Sequence, residues 1–177
     1  MSFYDPDRHH RQSIRLDAHD YSHGGVYFVT QCVHGRLCLF GDIREEIMRL
    51  NTVGLMVEDE WCKLPDRFPS IHLDAYVVMP NHLHGILIVK QQMQQGSEKK
   101  QASLGMIIGA FKSLSTNRYI KEMEQQGWPP FERKIWQRNY YERVIRNDRE
   151  LSHVRHYIVA NPASWTSDPD NPSFQQN

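Results

Sequence analysis

Apolar and polar positions divide the chain into segments of different period. Residues 1–23 show little apolar order; Arg8, His9, His10, Arg11, Arg15, His19 and His23 make them a basic, His-rich arm preceding the fold. After Gly24 and Gly25, the β-branched and aromatic run Val26 to Val33 predicts a strand. Ile43, Ile47, Leu50, Gly54, Val57, Trp61 and Leu64 then recur at helical spacing and draw one apolar stripe, so this stretch predicts a helix. Asp42 with Glu45 gives it a capping-box-like start, and Pro65 ends it.

Two strand-like runs follow, His72 to Met79 and His82 to Val89, separated only by the turn formers Pro80 and Asn81. They predict a hairpin. The polar stretch from Gln91 to Gln101 reads as a loop, and Ser103 to Met123 carries Leu104, Ile107, Ile108, Phe111, Leu114, Tyr119 and Ile120 at helical intervals. A turn at Gly127-Trp128-Pro129-Pro130 leads into Ile135 to Ile145, expected as a fourth strand. Asp148 is expected to cap a last short helix that Pro162 terminates. Strand, helix, two strands, helix, strand is the split βαβ, ferredoxin-like plan of the α+β class. It implies an antiparallel sheet with helices on one face, here with a C-terminal helix appended. The expected organisation is an arm over 1–23, one domain over 24–165 and a polar tail over 166–177.

A length of 177 residues suits one domain. Lys plus Arg and Asp plus Glu are 21 each, which argues against a protein that coats nucleic acid indiscriminately and leaves room for a local basic groove. The apolar runs are far shorter than the roughly 20 residues of a bilayer span, so no membrane partner is expected. Cys32, Cys38 and Cys62 form no CxxC pair, and the N-terminal residues show no basic-then-apolar export pattern. A cytoplasmic, chromosome-associated location is the expectation.

The chemistry concentrates in Tyr76 to Val89. Alternation along a strand puts His82 and His84 on one face, with roots roughly 6 to 7 Å apart, so that both imidazoles can reach one cation. Leu83 faces the other side, under the helices, and Gly85 is expected to leave room beside the second histidine. His-x-His also arises often by chance, as two solvated side chains on an open face. On the last helix, Leu151, Val154 and Ile158 form the apolar face, while Tyr157 and Asn161 lie one turn apart beside it. Asn161 can offer a hard oxygen as third ligand; with His82 and His84 it suits Mg2+, or Mn2+. A phenol is mostly protonated at neutral pH, and a cation on a scissile phosphate makes attack by Tyr157 feasible. Spacing alone favours Tyr157 as an amphipathic residue at a helix-sheet seam, and Tyr140 and Tyr141 are rival nucleophiles.

Taken together and in order, these pieces resemble the REP-associated tyrosine transposases, a branch of the His-hydrophobic-His (HUH) single-strand nucleases. The resemblance runs through Arg11-Gln12-Ser13-Ile14-Arg15-Leu16, Tyr21, Val26-Tyr27-Phe28-Val29-Thr30, Val78-Met79-Pro80-Asn81-His82-Leu83-His84, Ile135-Trp136-Gln137-Arg138-Asn139-Tyr140-Tyr141-Glu142 and Tyr157-Ile158-Val159-Ala160-Asn161-Pro162. It implies Tyr157 as nucleophile, His82, His84 and Asn161 as metal ligands, and cleavage of single-stranded DNA near a palindromic hairpin. The implied product is a 5′-phosphotyrosine and a free 3′-hydroxyl, with no nucleotide cofactor; both monomers and homodimers occur among such proteins. Gln12 and Gln31 depart from the family's usual look.

From Lys112 to Arg146 there are eight Lys or Arg against four Glu, whereas from Asp42 to Asp66 there are seven acids against three bases. The imbalance fits a protein that presents one side to phosphates; ordinary surface charge is the alternative. Arg8, Arg11 and Arg15 of the arm, with Arg138 and Arg143, are the expected hairpin contacts. The alternatives are a hairpin-binding protein that no longer cuts, and a zinc hydrolase using water as nucleophile.

Overall fold

The computed structural model describes residues 24–90, 102–131 and 133–174, so the basic arm, with Arg8, Arg11 and Arg15, and the loop from Gln91 to Gln101 lie outside the described residues. Four strands form one antiparallel sheet: β1 (Gly25–Cys32), β4 (Ile71–Val78), β5 (His82–Val89) and β6 (Tyr141–Ile145), in the order β4-β5-β1-β6. That order and the intervening helices are the ferredoxin-like plan, as expected. Helices α1 (Thr52–Cys62) and α3 (Leu104–Gln126) cover one face, and α4 (Asp148–Ala160) covers the other. The larger core lies on the first face, where Tyr27 and Val29 of β1 and Leu83 and Leu87 of β5 meet Trp61 and Phe111. On the second face Phe28 and Ile86 meet Val154 and Ile158.

The stripe read as one helix from Asp42 to Leu64 is two structures. Its first half is a hairpin, β2 (Gly41–Arg44) and β3 (Ile47–Leu50), paired from Gly41 with Leu50 to Arg44 with Ile47. Glu45 and Glu46 make the turn at φ 53° and 63°, the left-handed pair that a two-residue hairpin turn requires. The helix starts instead at Asn51, whose extended backbone interrupts helical geometry and whose Oδ1 accepts from the Gly54 amide at 2.9 Å. Asp42 caps nothing and pairs with Arg44 at 2.5 Å. Ile43 and Ile47 stand at helical spacing but on different strands and, paired with Met48 and Arg44, on opposite faces of the hairpin, so they form no common stripe and Ile47 is exposed.

Three smaller boundaries differ. Pro65 lies in the first turn of a short α2 (Leu64–Arg67), a position where its missing N–H costs nothing. The last strand begins at Tyr141, not Ile135; Trp136 makes one isolated bridge to Val33, and the backbone carbonyls of Gln137 and Arg138 accept from Lys112 Nζ at 2.6 and 2.8 Å. Asn147, not Asp148, caps α4, accepting from the Glu150 amide at 2.9 Å, and Pro162 opens a 3-10 turn through Ser167.

Gly85 faces the helices, not the histidines. A Cβ there would stand 2.4 Å from Cζ2 of the fully buried Trp61, which is itself held edge-on to Phe111. Gly85→Ala is therefore expected to lower unfolding free energy by about 1–3 kcal/mol through overpacking. Gly109, in the interior of α3, has nothing within 4 Å of its missing Cβ. Gly109→Ala should raise stability by about 0.5–1 kcal/mol through helix propensity. Urea unfolding of the two variants checks both signs, and a stabilising Gly85→Ala would refute the packing account.

Candidate active site

The site is built where β5, its neighbour β1 and α4 meet. His82 and His84 follow the tight turn at Pro80 and Asn81, where the Met79 amide donates to the His82 carbonyl at 2.8 Å. Both are buried, and their rings lie 4.5 Å apart between centroids. Asn81, chosen by the sequence as a turn former, also orients His82. Its Nδ2 donates to the Arg36 and Asp170 carbonyls at 3.0 and 2.7 Å, which leaves Oδ1 to accept from His82 Nδ1 at 2.8 Å. The neutral ring then carries its lone pair on Nε2, the tautomer a metal ligand needs.

His84 is oriented across the strands. The β1–β5 register sets Thr30 opposite His84, and Thr30 Oγ1 lies 2.8 Å from His84 Nδ1. The phenolic oxygen of Tyr157 lies 3.3 Å from His84 Nε2 within the same chain. With Nδ1 donating to Thr30, Nε2 accepts from Tyr157. Phe28 completes the setting, stacked on His84 at 5.4 Å and meeting Tyr157 edge-on at 6.0 Å. Tyr157 remains 44% exposed, so its oxygen is held and still open to a substrate. Of the rivals, Tyr141 packs edge-on against Phe28 and Tyr140 packs beside the larger core.

Helix α4 is held in rotation by a feature that the sequence reading missed. β4 is irregular between Leu73 and Tyr76, and there Asp74 accepts from Arg155 Nε at 2.7 Å and Nη2 at 2.5 Å. The guanidinium beside it, helped by the Ala75 amide, holds the Asp74 carboxyl below the usual carboxylate range. Arg155 and Tyr157 are two residues apart on α4, so this fork fixes the side from which the phenol approaches.

Asn161, at the C-terminal end of α4, is buried and approaches both His82 and Tyr157, favouring the charged ring of His82 and the ionised form of Tyr157. Those approaches fall short of good hydrogen-bond geometry: Asn161 Oδ1 and His82 Nε2 are buried without a hydrogen-bond partner. Leaving such atoms unpaired costs about 1–3 kcal/mol each, which a cation would relieve. His82 Nε2, His84 Nε2 and Asn161 Oδ1 are therefore the atoms that could hold one. Among the described residues no cluster of three His, Cys, Asp or Glu forms a conventional metal site, so an amide oxygen would have to serve as the third protein donor.

Burial pushes His84 well below the usual imidazole range, and the neighbouring His82 pushes the same way. Burial also lowers His82, although the carboxylates of Asp168 and Asp170 oppose it. The Tyr157 phenol is raised, first by burial and then by the charge of Asp168. At neutral pH the resting site thus holds two neutral imidazoles and a protonated phenol. The acidic residues come from the segment after α4, which returns to the site: Arg36 donates to the Pro169 carbonyl at 2.7 Å and pairs with Asp170 at 3.3 Å. Of the other expected contacts, Arg143 is paired with Glu150, whereas Arg138 lines a pocket beside α3.

No family model matches the sequence. A Haemophilus influenzae protein, described only as uncharacterized, is 35% identical over 178 residues, spanning 93% of this chain and 95% of that protein. A REP-associated tyrosine transposase, solved bound to a REP hairpin, has 22% identity and a TM-score of 0.51, covering 93% of this chain and 74% of the other. A candidate transposase from Deinococcus radiodurans R1 has 15% identity and a TM-score of 0.51, covering 77% and 90%. The chain belongs to one family with the Haemophilus protein and has the fold of the HUH-type, REP-associated tyrosine transposases.

Proposed function

We propose that the protein is a metal-dependent transposase that cleaves and rejoins single-stranded DNA at or beside palindromic hairpins, with Tyr157 as its nucleophile. The observation that carries this reading is the phenolic oxygen of Tyr157 lying 3.3 Å from Nε2 of His84, whose ring is the neighbour of His82. No other feature of a seam tyrosine calls for two buried neutral imidazoles beneath a half-exposed phenol. The shared fold with a protein solved on a REP hairpin supports DNA of that kind as substrate.

His82, His84 and Asn161 would hold Mg2+ or Mn2+, which when bound would neutralise charge on the scissile phosphate. The chain's own residues do the rest. Thr30 and Asn81 fix the two rings, Phe28 and the Asp74–Arg155 fork aim the phenol, and partial burial limits competition from water. The Tyr157 oxygen attacks phosphorus, the bond from phosphorus to the 3′-oxygen breaks, and the phenolic proton is balanced by the 3′-hydroxyl released. The product is a 5′-phosphotyrosine. Attack by another 3′-hydroxyl reverses the step, so neither a nucleotide nor water is consumed. Arg138 and the arm residues Arg8, Arg11 and Arg15 are the proposed DNA contacts; Arg143, tied to Glu150, is a weaker one.

Incubation with a labelled single-stranded hairpin oligonucleotide and Mg2+ should yield a protein-linked band on a denaturing gel, lost on EDTA treatment. Tyr157→Phe should abolish the band, a loss of about 1000-fold or more, while His82→Ala reduces it and weakens protection by Mn2+ against heat. Cleavage surviving Tyr157→Phe rejects the nucleophile; a retarded complex with no cut product points to a binding protein. A second expectation concerns pH. The folded pKa of His84 lies below its unfolded value near 6.5, so the stability gained by keeping it neutral is complete above about pH 6.5 and is lost as pH falls toward the folded value. Urea midpoints should therefore drop on acidification below about pH 6.5, and drop less in His84→Gln; parallel profiles for the two proteins contradict the assignment.

A further inference from the structure

On the face of the sheet away from Tyr157, α3 and the segment before β6 border an open pocket of about 410 Å³, lined by Lys112, Ser113, Thr116, Asn117, Lys134 and Arg138 with Trp136 and Gln137 behind them. Its floor is rigid. Trp136 is buried and donates through Nε1 to Ser115 Oγ at 2.9 Å, and Ser115 in turn donates to the Phe111 carbonyl at 2.7 Å. Its wall is pinned by Lys112, whose ammonium holds the Gln137 and Arg138 carbonyls.

What distinguishes this pocket is that its cations are gathered at one place. Arg36, Arg44, Lys63, Arg67, Arg118, Arg143 and Arg155 each meet a carboxylate. Among the described residues, none pairs with Lys112, Lys134 or Arg138. Three cations thus converge on one concavity whose remaining lining is hydroxyl and amide, and Lys112 is pushed down by burial and by the charge of Lys134. Positive charges gathered at one place, with no counter-charge among the described residues, attract an anion there. The depression is open to solvent and of the size of about one nucleotide, so it can take a phosphate of a flexible strand.

Its location decides which strand. The Gln137 amide donates to the Cys32 carbonyl at 2.9 Å, and Cys32 is paired with His82. The pocket and the histidine pair therefore occupy the same end of β1, on opposite faces of the sheet. We propose that this pocket is a backbone-phosphate subsite for the single strand flanking the hairpin, which passes round the end of the sheet between the pocket and Tyr157. This rests on the DNA-processing reading above and assigns it a second, non-catalytic anchoring point.

The test is binding of a labelled hairpin with and without a single-stranded extension, measured by anisotropy over a salt series in a Tyr157→Phe background. Lys134→Ala/Arg138→Ala should weaken the extended hairpin roughly tenfold and flatten its log–log salt slope by about 1.4, two contacts at about 0.7 each. The blunt hairpin should change little. Asn117→Asp, placing a carboxylate among the cations at an exposed helix position, should reproduce the loss. Arg49→Ala/Lys121→Ala, removing equal charge elsewhere, should not. Unchanged affinity in the pocket variants, equal losses for blunt and extended hairpins, or an equal loss in the Arg49/Lys121 control overturns the proposal. So does a pocket whose mutation abolishes thermal protection by inorganic phosphate and leaves oligonucleotide affinity intact. Failure of the covalent adduct while the pocket variants still lose the extended hairpin would remove the Tyr157 chemistry and leave this subsite standing; the reverse pattern would remove the subsite alone.

Discussion

Along β5 the side chains alternate, so His82, His84 and Ile86 share one face and Leu83, Gly85 and Leu87 share the other. Neither set can be repositioned without the other. Leu83 and Leu87 are locked into the larger core, and Gly85 admits the Trp61 ring at a distance that no Cβ would allow. A slip of one residue would bury the histidines under α1 and α3 and turn the leucines toward α4. The register of the histidine pair is thus enforced from behind by apolar packing, and the β1 pairing that fixes it also delivers Thr30 to His84.

That rigidity on the strand side contrasts with the way the phenol is supplied. Tyr157 belongs to a helix whose apolar contact with the sheet is a small cluster, Val154 and Ile158 on Phe28, Ile86 and Ile145. A small apolar seam defines where a helix lies better than how it is rotated. The Asp74–Arg155 fork supplies the rotational constraint, and the irregularity in β4 is what turns Asp74 toward it. Polar contacts here set orientation, while the cores set stability.

The ferredoxin-like order and the histidine and tyrosine positions were legible because they rest on strong local signals: a Pro-Asn turn between two β-branched runs, and a helix with one apolar face. The helix read from Asp42 was not, because Ile43 and Ile47 keep helical spacing across a hairpin that sets them on opposite faces, and the turn at Glu45 and Glu46 lacks the glycine or asparagine that advertises left-handed backbone. Gly85 was misplaced by neglecting the period that correctly placed its neighbours. Thr30, Phe28 and Asp74 escaped notice for a different reason. Each acts through a strand register or an irregularity, and pairing between strands is not written in any short window of sequence.

The resting arrangement also constrains how any reaction begins. The Tyr157 hydroxyl is on His84 Nε2, one of the atoms suited to a cation, while His82 Nε2 and Asn161 Oδ1 beside it lack partners. A cation held by His84 would compete with the phenol's hydrogen bond for the same nitrogen, and in the resting site burial together with Asp168 keeps that phenol protonated. On the proposed reading, ligation at His84 would therefore also free the Tyr157 hydroxyl, since both call on the same Nε2 lone pair. A phenol released in that way would need little further movement to meet a substrate, because the Tyr157 side chain is already half-exposed.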